Sequence, residues 1–437
     1  MEKVIFKPSY LSGEVSALPS KSDIHRSLIC ALLARGKSTI SPVVYSQDVK
    51  ATVLCCRAAG AKVICEENSI TIDSGNAFDF SETENGESII FDCKESGSTL
   101  RFFIPVLCSA GVNASYKGSG RLPQRPLDVY KKVFERRNIF FQENACHEND
   151  GVFLSVRGKL TGGEFYVEGN ISSQFITGLL LALPTVKEDS KIIITTPLES
   201  EPYVNMTLDV MKSFGVEVQR TDYGYFIHGN QKYIPCCHTV QGDWSQAAFF
   251  LCAGALNGDV TVKGLDINSR QGDKKAVDIL REFGCEIKVN ESEKSVTANS
   301  KNKLSATLID GADIPDLMPV LACVAAFASG TTKIINIGRL RYKESDRLAA
   351  VAKDLKALGC HVLQHDDSLE IHGANSQAGG ECDGFNDHRM VMAMSAAALR
   401  CQKEVSVTTP FAINKSYPDY FEEYKKLGGK ADVIDVG

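Results

Sequence analysis

PSKSDIHRSLICALLARG, residues 19–36, opens on a short polar cluster and then runs on with scarcely a polar side chain. Five further stretches have the same form: ESGSTLRFFIPVLCSAG from Glu95, GNISSQFITGLLLALP from Gly169, QGDWSQAAFFLCAGALNG from Gln241, ADIPDLMPVLACVAAFASG from Ala312 and FNDHRMVMAMSAAALRC from Phe385. The six openers recur about every 70 to 76 residues. They supply Ser, Asp, Asn, Gly or Pro, residues that cap or pre-shape a first helical turn. The bodies that follow are too apolar to keep a solvent face and too short to cross a bilayer, so each predicts a helix buried on all sides.

After each run comes a stretch of strand type, such as KIIITT from Lys191, DVTVKG from Asp259, TTKIIN from Thr331 and EVSVTT from Glu404. A more amphipathic helix follows, as in LDVYKKVFERR from Leu127, TLDVMKSFG from Thr207 and RLAAVAKDLKALG from Arg347. The repeat is therefore a βαβαββ unit present six times. The sixth copy ends with the chain, whereas KVIFKP and GEVSAL, from Lys3 and Gly13, belong to no preceding unit. Both N-terminal strands are expected to complete that last copy. The predicted fold is α/β, with two pseudo-threefold domains of three units each. Residues 1–20 with 239–437 form one and residues 21–238 the other, joined by two crossovers. The domains are expected to meet across a cleft faced by buried-helix N-termini, whose unpaired N–H groups and positive dipole ends favour anions.

The chain of 437 residues carries a net charge of −6, which argues against a binder that tracks nucleic-acid phosphates over a long surface. Any anion site must be local. The 15 cysteines include many inside apolar runs, among them Cys30, Cys108, Cys252 and Cys323, and read as reduced core residues. No CxxC occurs, and the adjacent pairs Cys55–Cys56 and Cys236–Cys237 lack zinc-ligand spacing, so no metal is expected. MEKVIFKPSY has neither the apolar core of a signal peptide nor a basic transit pattern, which makes cytoplasm the expected location and a membrane partner unexpected.

For any single opener, ordinary capping explains its polar residues. Six that carry Lys, Arg, Ser, Asp and His suggest chemistry as well. PSKSDIHR places Lys21, Ser22 and Arg26 about a turn apart, an arrangement suited to phosphate or carboxylate. RLRYKESDRL gathers Arg339, Arg341, Lys343, Glu344 and Arg347 at the point of its unit where RLPQRP places Arg121 and Arg125 and NKSYPDYF places Lys415. DIPD offers Asp316 at a helix start, and NDHRM puts His388 and Arg389 at the equivalent point of the next unit.

Taken in order, PSKSDIHR, GSGRLPQRP, SSQF, SEPY, QGD, DIPD, RYKESDRL, NDHRM and KSYPDY give the chain an end-to-end resemblance to the 5-enolpyruvylshikimate-3-phosphate synthase family of enolpyruvyl transferases. The resemblance implies two domains of βαβαββ units with their helices inside. It also implies transfer of the enolpyruvyl group of phosphoenolpyruvate to the 5-hydroxyl of shikimate 3-phosphate, with loss of phosphate and no cofactor. A monomer with these two small-molecule partners is expected, closing by rotation about hinges near Ser20 and His238.

Carried over by position, the resemblance assigns shikimate 3-phosphate to Lys21, Ser22, Arg26, Ser172, Ser173, Gln174, Ser200, Asp316 and Lys343. It assigns phosphoenolpyruvate to Lys21, Gly97, Arg125, Gln174, Arg347, Arg389 and Lys415, with Arg339 and His388 as secondary candidates. Two phosphates and two carboxylates in one site call for a dense cationic cage. Asp316 is the candidate to deprotonate the 5-hydroxyl and Glu344 to handle the methylene proton, while Lys21 or Lys415 would protonate the leaving phosphate or bridging oxygen.

Two residues depart from the family pattern. Glu95 stands where several members have Asn, leaving open whether its carboxylate turns away or pairs with Arg125, and Arg339 replaces an Asn of some relatives. The related transferase acting on UDP-N-acetylglucosamine would carry a loop cysteine near GSGRLPQRP, where this chain has none. A silent repeat scaffold has no use for the charge pattern of Lys21, Asp316, Glu344, His388, Arg389 and Lys415.

Overall fold

The computed structural model of the chain describes residues 2–79, 88–144 and 151–435. Its helices, in chain order, are α1 (Lys21–Leu33), α2 (Gln47–Ala58), α3 (Gly97–Ala110), α4 (Asp128–Glu135), α5 (Ser173–Ala182), α6 (Glu201–Ser213), α7 (Trp244–Asn257), α8 (Ala276–Glu282), α9 (Met318–Ala325), α10 (Arg347–Ala357), α11 (His388–Ala398) and α12 (Tyr420–Lys426). The odd-numbered helices are the apolar runs. In α9 and α11 every residue is buried, and in α7 every residue from Trp244 to Leu256. The even-numbered helices bury one face only, as their amphipathic pattern requires.

Side-chain caps start five of the six buried helices. Ser20, Ser96, Ser172, Asp243 and Asp387 accept from backbone N–H groups of the first turn, whereas α9 is entered through a 3₁₀ turn, Pro315–Leu317. Among the described residues, no helix is long and apolar enough to cross a membrane.

Each βαβαββ unit supplies one four-stranded sheet. In the second unit Ile89–Asp92 pairs parallel with Ala114–Lys117 across α3, and Val152–Arg157 lies antiparallel to both Ala114–Lys117 and Phe140–Glu143. The repeat thus has the expected element order.

The termini differ from expectation in one respect. Glu2–Lys7 pairs antiparallel with Val405–Thr408 and Lys430–Asp435 and completes the last unit. Leu11–Ser16 instead pairs parallel with Gly258–Lys263 and opens the fourth unit. The reason lies in the crossover: α7 follows it directly, so the parallel partner for the strand after α7 must come from elsewhere in the chain. Cys237–Thr239 fills the same vacancy beside Lys37–Ser41 in the first unit. Two edges that would otherwise stay unpaired are covered in this way.

The chain divides into two compact units, Met1–Leu18 with Gln241–Gly437, and Pro19–Val240, each with its own apolar core. In the second, α3 and α5 approach closely at Gly178, where a β-carbon would lie 2.5 Å from the Arg101 carbonyl oxygen. Tyr130 Oη sits at the same point, 2.7 Å and 3.1 Å from the carbonyl oxygens of Arg101 and Phe175, so one phenol ties both helices. Gly178→Ala should force them apart and lower stability by about 1–3 kcal/mol, read as an earlier midpoint in guanidinium unfolding.

Candidate active site

In the unit formed by the chain ends, the N-termini of α9, α10 and α11 bring their charged residues together. Arg347, the first residue of α10, is 1% exposed. Its guanidinium donates Nε to Asp387 Oδ2 at 2.8 Å, Nη1 to Asp316 Oδ1 at 2.9 Å and Nη2 to Glu344 Oε2 at 2.6 Å. A fourth contact, Nη2 to Asp387 Oδ1 at 3.2 Å, makes the pairing with Asp387 a two-pronged fork. Burial works against the charge on Arg347, but Asp387, Glu344 and Asp316 outweigh it and hold the guanidinium above the ordinary arginine value.

Asp387 is fully committed. It caps α11 through the Arg389 N–H at 2.9 Å and accepts from Ser345 Oγ at 3.0 Å as well as from Arg347. Its role is to aim the arginine. Asp316 is placed differently, in the turn that enters α9, with 20% of its side chain exposed. It accepts from Lys343 Nζ at 3.3 Å and Arg389 Nη2 at 3.1 Å besides Arg347. Burial pushes its carboxyl up, but Arg389, Lys343 and Arg347 together hold it well below the usual carboxylate range. Lys343 is pulled down to about 8, chiefly by burial and further by Arg347 and Arg339.

Lys415 Nζ donates to the Asn386 carbonyl at the start of α11, and the Arg339 guanidinium donates to the Ala312 carbonyl. His388 is buried beside Asp387, with Nδ1 3.8 Å from the carboxylate.

The unit Pro19–Val240 carries the other group. Lys21 pairs with Asp48 of α2 at 2.7 Å. Arg26 lies in the interior, where Nε donates to Thr207 Oγ1 at 2.8 Å, Nη1 to the Ser22 carbonyl at 2.7 Å and Nη2 to the Tyr203 carbonyl at 3.1 Å. Burial lowers its pKa to about 10, which leaves it charged at neutral pH. Ser172 caps α5, Ser173 is buried behind it, and Ser200 precedes α6 in the left-handed region at φ 56°.

Gln174 joins the starts of two helices, accepting from Arg101 Nη1 at 2.7 Å and donating to Ser98 Oγ at 2.9 Å. Gly97, the first residue of α3, faces Arg125 so closely that a β-carbon would run into the guanidinium. The Glu95 carboxylate folds over Gly120, whose φ of 57° and missing side chain leave room for it.

Asp316, Lys343, Glu344, Arg347 and Arg389 therefore form one contact network in one unit. Ser22 and Arg26 are joined in the other, as are Gln174 and the start of α3. Sequence reasoning missed Asp387, Asp48 and Arg101. Asp387 stands inside the NDHRM motif, from which only His388 and Arg389 stand out as site candidates, Asp48 falls in the first turn of an amphipathic helix, and Arg101 is an isolated cation in the apolar body of ESGSTLRFFIP. That isolation was a usable signal, because a buried arginine needs partners.

Comparison with known proteins places this geometry in a family. The model of EPSP synthase (3-phosphoshikimate 1-carboxyvinyltransferase) matches residues 5–424. A 3-phosphoshikimate 1-carboxyvinyltransferase from Clostridium perfringens is 42% identical over 430 residues, covering 98% of this chain and 99% of that relative. One from Clostridium acetobutylicum is 43% identical over 438 residues, covering 100% of both. A solved EPSP synthase from Acinetobacter baumannii shares the fold at a TM-score of 0.80 and 22% identity, covering 100% of both chains. With a match that runs through both units, the chain belongs to the EPSP synthase family of 3-phosphoshikimate 1-carboxyvinyltransferases.

Proposed function

We propose that the chain performs the carboxyvinyl transfer of its family with the two groups of residues described above. The reaction joins phosphoenolpyruvate to shikimate 3-phosphate on the shikimate route to aromatic amino acids. In the first step the 5-hydroxyl oxygen attacks C2 of phosphoenolpyruvate as C3 gains a proton. In the second, C3 loses a proton, the bond from C2 to the phosphate oxygen breaks, and phosphate leaves.

Shikimate 3-phosphate is assigned to Lys21, Ser22, Arg26, Ser172, Ser173, Gln174, Ser200, Asp316 and Lys343. Phosphoenolpyruvate is assigned to Lys21, Gly97, Arg125, Gln174, Arg347, Arg389 and Lys415. The observation that carries the reading is Arg347, held at once by Glu344, Asp316 and Asp387. A substrate carboxylate arriving at Arg347 and Arg389 competes with Asp316 and Glu344 for the same N–H groups, whereas the fully buried fork to Asp387 keeps the arginine in place. Binding thereby releases two carboxylates where protons must move. Asp316 takes the 5-hydroxyl proton, and Glu344, which gains a proton once it leaves Arg347, gives that proton to C3 and then takes it back. Lys21 or Lys415 protonates the departing phosphate. We further propose that the enzyme acts in the cytoplasm as a monomer.

Phosphate release with phosphoenolpyruvate should occur with shikimate 3-phosphate and not with UDP-N-acetylglucosamine as acceptor. Asp316→Asn should lower kcat by roughly 10²–10⁴-fold in that assay. Release with the sugar nucleotide alone would reassign the acceptor, and an unimpaired Asp316→Asn would remove Asp316 from the chemistry.

Lys343, with its pKa near 8, is a cation below that pH and neutral above it. If it holds the shikimate phosphate, kcat/KM for shikimate 3-phosphate falls as pH rises through about 8. Lys343→Arg should flatten that limb of the profile, because a guanidinium stays charged throughout the range. A limb unchanged in Lys343→Arg would assign it to another group.

A further inference from the structure

Behind the α3 N-terminus runs a buried chain of side chains that the reaction itself does not use. His25 Nδ1 lies 2.7 Å from Thr52 Oγ1, Thr52 Oγ1 lies 2.7 Å from Thr99 Oγ1, and Thr99 Oγ1 donates to Ser96 Oγ at 2.7 Å. The two threonines are 0% exposed and His25 and Ser96 1%. Ser96 caps α3, accepting also from the Thr99 N–H at 3.3 Å. The next residues are Gly97, which faces Arg125, and Ser98, which accepts from Gln174.

Proton counting orients the chain. A threonine hydroxyl has one proton to give. Thr99 spends its own on Ser96, so it accepts from Thr52. Thr52 then has none left for His25 and must accept from it. The proton on the imidazole is therefore on Nδ1. Nε2 lies buried without a protein partner among the described residues, as a ring committed through a single nitrogen would leave it. Burial, reinforced by Lys21 and Arg26, holds the imidazole well below its ordinary range, so the ring is neutral at physiological pH.

The chain also runs beside a second cross-link. Lys21 pairs with Asp48, and one turn further along both helices His25 pairs with Thr52. Two rungs thus fix α1 against α2, and the second continues through Thr99 to α3.

We propose that His25 is a positioning residue for the transfer: as the Nδ1–H tautomer it anchors, through Thr52 and Thr99, the Ser96 cap that sets the Gly97–Ser98 backbone where phosphoenolpyruvate packs. This rests on the assignment of Gly97 to phosphoenolpyruvate. The starts of α1 and α3 then keep a fixed separation, so a residue that touches neither substrate controls the affinity for one of them.

The test is steady-state kinetics with each substrate varied in turn. His25→Leu, Thr52→Val and Thr99→Val should each raise KM for phosphoenolpyruvate roughly 5- to 30-fold, with KM for shikimate 3-phosphate and kcat within about threefold. Thr52→Ser and Thr99→Ser keep the hydroxyl and should behave as wild type, as should His25→Asn, whose amide offers a donor near the Nδ1 position. Thr52→Val and Thr99→Val combined should cost no more than the worse single variant, because either one breaks the chain. The two threonine-to-valine changes are nearly isosteric, which keeps the test independent of whether His25→Leu folds. Equal losses for both substrates, additive losses in the double variant, or serine variants as poor as valine ones would overturn the proposal. Gly97→Ala provides the separating arm. If it leaves KM for phosphoenolpyruvate unchanged, the assignment of Gly97 fails and the proposal with it. If it raises that KM while the chain variants do not, the proposal alone fails.

Discussion

The Arg347 guanidinium is the contact on which the chain-end unit's functional geometry depends. A buried guanidinium is costly unless its donors are matched, and here three carboxylates match it. Those carboxylates come from three places in the repeat: Asp316 at the start of α9, Glu344 just ahead of α10, and Asp387 at the cap of α11. Satisfying one side chain therefore fixes three helix starts relative to one another. The buried apolar helices behind them make that convergence rigid, because α9 and α11 have no exposed face along which to slide.

The same contact changes the expected electrostatics. Sequence alone suggested a dense cationic cage around the substrates, without the pairings inside it. In this network Lys343, Arg347 and Arg389 are instead balanced by Asp316, Glu344 and Asp387. An anionic substrate that enters exchanges with carboxylates already present. Exchange avoids the penalty of holding three bare cations together before binding. In the proposed reaction it also couples arrival of phosphoenolpyruvate to release of the groups that move protons. Asp387 stands outside the exchange, since its acceptor positions are taken by Arg347, Ser345 and the α11 backbone.

Much of the fold was legible because its strongest signal is local. Six apolar runs with capped openers at a near-constant period leave few architectures, and α1, α3, α5, α7 and α11 begin within the expected openers. The partner of Leu11–Ser16 was not legible, since alternation marks a strand without saying which distant edge it joins. At the site, motifs identified charged residues and could not give their distances. Lys343, Glu344 and Arg347 were expected as site residues, but the fork from Arg347 to Asp387 depends on a turn 40 residues away. Arg101 and His25 were hidden for another reason. Arg101 lies within an apolar run, where a polar side chain reads as an incidental core residue, and His25 lies within a polar opener, where capping accounts for polar residues, until their partners on neighbouring helices are known.

The most direct test of this account is kcat/KM for phosphoenolpyruvate in Arg347→Lys, measured by phosphate release on protein shown by circular dichroism to be folded. Lysine preserves the charge and loses the planar fork, so it cannot engage Asp387 from two prongs while reaching Asp316 and Glu344. A fall of roughly 10²-fold or more is predicted, equivalent to about 2.7 kcal/mol of lost transition-state stabilisation. A value within about twofold of wild type would contradict the account, because charge alone would then suffice and the three-carboxylate geometry would be incidental.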